Sequence, residues 1–70
     1  MNVKINGKAT SIDNFQISMK DKCLVYTFHG SFDASLKGQR CEFELYYNDL
    51  LMWLGNGIII SATCSYLVIG

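Results

Sequence analysis

The sequence predicts an all-β, mainly antiparallel domain: a meander of four strands, then a short helix, then a fifth strand. Three features carry that reading. Leu24, Tyr26, Phe28, Gly30, Phe32, Ala34 and Leu36 alternate with Val25, Thr27, His29, Ser31, Asp33 and Ser35, which is the period of a half-buried strand. Asn6-Gly7 is a strong signal for a type I′ hairpin turn. Half of the residues are hydrophobic and none is proline, so an ordered domain is expected and not a disordered chain.

The elements follow in order. The Asn6-Gly7 turn sets Val3 beside Thr10 and Met1 beside Ile12. Ile12 has the wrong parity to share a face with Phe15, and a bulge at Asp13-Asn14 would correct this and bend the second strand. A turn between Lys20 and Cys23 pairs Met19 with Leu24, Ile17 with Tyr26 and Phe15 with Phe28, each inward residue meeting another. The alternating run from Leu24 to Leu36 would span about 40 Å if straight. That is too long for one 70-residue domain, so Gly30 is expected to bend it. A type II′ turn at Gly38-Gln39 then pairs Leu36 with Cys41, Ala34 with Phe43, Phe32 with Leu45 and Gly30 with Tyr47. Beyond Tyr47, Asn48 or Asp49 caps a helix over Leu50 to Leu54, Gly55 ends it, Asn56-Gly57 turns the chain, and Ile58 to Ile69 has strand composition. This order resembles that of small barrels of the Src-homology-three kind. An SH3-like barrel is therefore expected, with a strongly twisted open sheet as the alternative.

Composition bounds the function. Six acidic residues balance six basic ones, and charged residues make up 17% of the chain, against roughly 25% in a typical soluble domain. A neutral chain does not resist self-association, and it lacks the broad positive field that draws in nucleic acid or anionic lipid. Cys23, Cys41 and Cys64 form no Cys-x-x-Cys pair, and the first residues carry Lys4 but no apolar run. Unpaired thiols in a reducing, cytoplasmic setting are expected, with no secretory leader. From Leu50 to Gly70 no residue is charged, a stretch long enough to span a bilayer. Gly55-Asn56-Gly57, Ser61, Thr63 and Ser65 interrupt it and no basic cluster flanks it, so burial in protein is expected instead.

No constellation of residues points to catalysis. His29, Ser31 and Asp33 have the types of a hydrolytic triad, but on one straight strand His29 and Asp33 would lie about 13 Å apart, far beyond hydrogen-bond reach. Cys23, His29, Cys41 and Cys64 lack the paired spacing of zinc ligands. Neither an enzyme, a cofactor nor a metal is expected. Asp33, Glu42, Glu44 and Tyr46 fall on the outer face, and the expected register sets Asp33 opposite Glu44, a like-charge conflict of the kind found at contact sites. Lys8, Lys37 and Arg40 gather near the turns as a weak anion-binding candidate. Leu50 to Leu54 is apolar all round, so a helix there cannot bury every side, and Leu51, Met52 and Trp53 are the expected apolar anchors for another chain.

Together these observations predict a small non-enzymatic module that binds another protein and associates with itself. The form suits an inhibitor or adaptor such as phages and mobile elements encode. Two alternatives carry distinct expectations. A nucleic-acid-binding barrel would use Lys8, Lys37 and Arg40 and show steep salt dependence. An oligomer that sequesters a small polar ligand between subunits would use His29 and Arg40.

Overall fold

The computed structural model describes residues 1–70. Seven strands form it: β1 (Asn2–Ile5), β2 (Lys8–Ser11), β3 (Asn14–Lys20), β4 (Cys23–His29), β5 (Arg40–Tyr47), β6 (Leu50–Ala62) and β7 (Tyr66–Ile69). A single 3-10 turn, Ala34–Leu36, lies between β4 and β5. The strands make one antiparallel sheet in the order β2-β1-β5-β6-β7-β4-β3, and the sheet does not close. The all-β, antiparallel class is as the sequence predicts.

Four hairpins hold the sheet together, and the turns of three of them, all but β6–β7, share one chemistry. Asn6-Gly7 has φ of 50° and 87°, Asp21-Lys22 has 51° and 65°, and Asn48-Asp49 has 51° and 62°. Positive φ at both central residues is the signature of a type I′ turn, whose twist matches that of the flanking strands. The first two hairpins have the expected register: Val3 pairs with Thr10, and Met19, Ile17 and Phe15 pair with Leu24, Tyr26 and Phe28.

Three expectations are corrected. The alternating run does not continue to Leu36: β4 stops at His29, and Gly30 passes so close to β2 that a Cβ there would lie 3.0 Å from the Ser11 carbonyl oxygen. The chain then enters the 3-10 turn, which Asp33 caps by accepting the Ser35 N–H at 2.9 Å. Secondly, Gly38-Gln39 does not fold β5 back onto β4. The Gly38 N–H donates to the Ile59 carbonyl at 2.7 Å, and the Ile59 N–H to that of Gln39 at 2.8 Å, so this segment runs beside β6. β5 lies between β1 and β6, with Val3 opposite Leu45, Ile5 opposite Phe43, and Phe43 opposite Gly55. Cys41, Phe43 and Leu45 face inward against either neighbour, so parity alone does not choose the partner. Thirdly, no helix forms over Leu50 to Leu54. These residues begin β6, and Asn56-Gly57, expected as a turn, sits within that strand opposite Glu42 and Cys41. A short apolar run has no periodicity that separates helix from strand, and the Asn48-Asp49 turn decides in favour of strand.

The sheet is strongly curled. Its two edge strands, β2 and β3, are consecutive in the chain. Between them the Ile12 N–H donates to the Met1 carbonyl at 2.9 Å and the Asp13 N–H to that of His29 at 2.8 Å. The parity change between Ile12 and Phe15 falls here, where the chain crosses from one edge to the other. Curling brings together strands that are not neighbours in the sheet. Phe28 of β4 meets Phe43 of β5 edge to face, with centroids 5.0 Å apart. Tyr26 meets the same ring at 4.8 Å, and Phe15 stacks on Phe28 at 5.0 Å. Around these rings Val3, Cys41, Ile59, Leu67 and Ile69 are essentially fully buried. The Cα radius of gyration is 11.0 Å, matching the value of about 11 Å for a compact chain of this length.

Candidate protein-binding surface

The β5–β6 hairpin carries the most unusual surface of the molecule. Its strands leave the core before they turn. Leu45 is buried, but Tyr47 and each of Leu50, Leu51, Met52, Trp53 and Leu54 are at least 40% exposed. Alternation of side chains about a strand puts apolar groups on both faces of this hairpin. In water such a run has no stabilising role, and extended apolar patches on small proteins mark contact sites.

A bulge shapes the surface further. Tyr46 pairs with Leu51 while Leu45 pairs with Trp53, so Met52 is the extra residue. A bulge re-aims side chains and sharpens the local twist. Met52 and Trp53, although adjacent in sequence, therefore line the same cleft, together with Met1, Phe15, Leu45 and Tyr47. The cleft has a volume of about 330 Å³, and all six lining residues are hydrophobic. Phe15 connects it to the core through its stack on Phe28. Leu51, Met52 and Trp53, the anchors expected from the sequence, are thus on one exposed strand. Met1, Phe15, Leu45 and Tyr47 escaped the sequence reading as members of the site. Only the run of apolar residues on both sides of Asn48-Asp49 hinted at them, because the bulge that gathers them has no sequence signature here.

The polar candidates divide into separate places. Glu42, Glu44 and Tyr46 alternate along β5, but Asp33 is not opposite Glu44. Glu44 faces Lys4 on one side and Leu54 on the other, so the like-charge conflict is absent. The Tyr46 hydroxyl donates to Glu44 Oε2 at 2.9 Å, and Lys4 Nζ sits 5.2 Å from the Tyr46 ring centroid. The hydrogen bond to Glu44, with lesser contributions from burial and from the Glu44 charge, holds the Tyr46 phenol above its ordinary pKa. Asp33 lies in the loop after β4, lining a small pocket with Lys8, Thr10, Ser31 and Ser35. Hydrogen bonds from the Ser35 N–H and the Ser35 hydroxyl keep its carboxyl below the usual range, and the Lys8 charge assists.

The basic candidates do not stand alone. Lys8 shares its pocket with Asp33, and Arg40 shares a shallow depression with Glu42 and Asn56. Lys37 closes the 3-10 turn. His29 pairs with Asn14 and Tyr66 across β3 and β7. No three of His, Cys, Asp and Glu converge as metal ligands. All three cysteines are unpaired: Cys23 and Cys64 are exposed, while Cys41 is buried, and burial pushes its thiol pKa up. No helix is long and apolar enough to cross a membrane. No protein-family model, curated protein or solved structure matches the chain.

Proposed function

We propose that this chain is a small, non-enzymatic protein-binding module that acts through the β5–β6 hairpin and also associates with itself. One observation carries the reading: five consecutive apolar residues, Leu50 to Leu54, stand at least 40% exposed beside an apolar cleft. Trp53 and Met52 are of the types enriched at interface centres, and a buried aromatic anchor is a typical hot spot. Leu51, Met52 and Trp53 are the anchors, and Glu42, Glu44 and Tyr46 form the polar flank on β5. An inhibitor or adaptor working in a reducing cytoplasm fits a module with three free thiols. Nucleic acid is a poorer fit, because Lys8 and Arg40 each have an acidic neighbour in their own depression.

Affinity capture tests the reading. Immobilised wild-type chain should retain a partner from a lysate of the source cell, and Trp53→Ala should lose it. Truncating a buried Trp anchor costs about 2 kcal/mol or more, which is roughly thirtyfold in affinity. Equal capture by both proteins, or capture by neither, would remove the hairpin from consideration as the binding surface.

A further inference from the structure

The main chain of β6 is unequally used. At Ile58 and Ile59 the strand has neighbours on both sides, since the Ile58 and Gly70 main chains exchange two hydrogen bonds, Ile59 bonds with Gly38 and Gln39, and β7 continues the ladder to Ala62. From Leu50 to Gly57 only β5 is paired, and no strand lies on the other side. Every second N–H and C=O of that length points outward, a ready template for another strand.

The molecule has two other free edges, each shorter than this one and each carrying a charge. β2 is four residues long and begins with Lys8. β3 is seven residues long and carries its single charge, Lys20, at its end beside Asp21 and Lys22 of its turn. Charge and shortness are the usual protections of an edge. Leu50–Gly57 has neither charge nor proline. Its one blunting device is the bulge at Met52, which leaves Trp53–Gly57 in regular register with β5.

We propose that the free edge of β6 pairs antiparallel with the same segment of a second copy of this chain across a two-fold axis, joining two sheets into one. This rests on the protein-binding reading of the hairpin and names its partner. Self-complementarity is built in: all five residues of Leu50–Leu54 are apolar, so pairing within that run sets apolar against apolar in any register. A two-fold contact uses the same patch twice, and a chain of zero net charge adds no repulsion to it. The exposed parts of Tyr47 and Leu50–Leu54 amount to on the order of 600 Å² per copy, at roughly 150–200 Å² for a large side chain. A standard stable interface buries about 800 Å² per partner, and the main-chain ladder with its flanking residues supplies the difference.

Light scattering on the wild-type chain in reductant, over a concentration series, is the first measurement, paired with hydrogen exchange at the dilute and concentrated ends. The expected result is a doubled mass, with outward amides of Leu50–Gly57 exchanging at least about tenfold more slowly in the dimer. Leu54→Lys places a charge on the edge and should weaken the dimer about a hundredfold while leaving the circular dichroism spectrum unchanged. Met19→Lys, at the tip of β3, should leave the dimer intact. A monomer at every concentration overturns the proposal, as does a dimer whose Leu50–Gly57 amides exchange as they do in the monomer. The exchange comparison needs no variant, so it decides even if Leu54→Lys fails to fold. A strict monomer that still captures a partner through Trp53 overturns the self-pairing alone, whereas a chain that does neither removes both readings.

Discussion

Gly55 shows how far a single residue's environment governs this sheet. It sits opposite Phe43, and a Cβ at that position would lie 2.5 Å from both Cε2 and Cζ of the Phe43 ring. The ring occupies the space above the glycine and in turn receives Tyr26 and Phe28 edge to face. Gly55→Ala is therefore expected to displace the central ring of the core. Overpacking of this kind costs about 1–3 kcal/mol, and each kcal/mol lowers Tm by about 4–8 °C in a domain of this size. A thermal melt checks it, and an unchanged Tm would mean that the ring moves freely. In the sequence Gly55 reads as a helix terminus, because the residue it protects lies twelve positions away on another strand. Phe15, Tyr26 and Phe28 were legible as core residues because their strand partners are local in sequence. The cleft was not, since it depends on where a bulge falls.

At the scale of the element, the hairpins divide by the quality of their turns. Asn6-Gly7 meets the demand of a type I′ turn with a glycine, whereas Lys22 takes φ of 65° and Asp49 takes 62° with a side chain in place. A non-glycine residue in that region costs roughly 1–2 kcal/mol, part of which glycine returns as lost chain entropy. Lys22→Gly should therefore stabilise the protein by about 0.5–1 kcal/mol, read as a higher urea midpoint with an unchanged slope. A lower midpoint would mean that Lys22 contributes through contacts of its own. The same chemistry explains which elements were legible. Asn6-Gly7 announces its turn by composition, and the short connection between Met19 and Leu24 fixes its register by parity. Asn48-Asp49 is equally good as a helix cap, so the strand that follows it was hidden. The fate of β5 was hidden for a different reason: its inward residues suit β1 as well as β4, and only the completed sheet selects between them.

On the scale of the whole molecule, β6 and β7 join two halves. β6 pairs with β5 through its first part and with β7 through its last, and β7 lies between β6 and β4. Leu67, fully buried on β7, faces Phe28 on one side and Ala62 on the other. Leu67→Ala should cost about 2–5 kcal/mol, a large part of the roughly 5–15 kcal/mol available to a small domain. Far-ultraviolet circular dichroism should show a chain that melts near ambient temperature, and a loss of only a few degrees would show that the halves hold without β7. Long-range pairs such as Ile5 with Phe43 and His29 with Tyr66, about forty residues apart, place the fold among those that form slowly.

The position of β7 has a consequence for the making of the protein. Synthesis is vectorial, and the strand with the highest residue numbers occupies the interior of the sheet. Until residues 66–69 insert, β4 has no inner neighbour and β6 lacks its β7 partner beyond Ile58. The local hairpins can form early, but the core is complete only once β7 has inserted between β6 and β4. The part of β6 that depends on this step is Ile59 to Ala62, which gains its β7 neighbour only when that strand inserts.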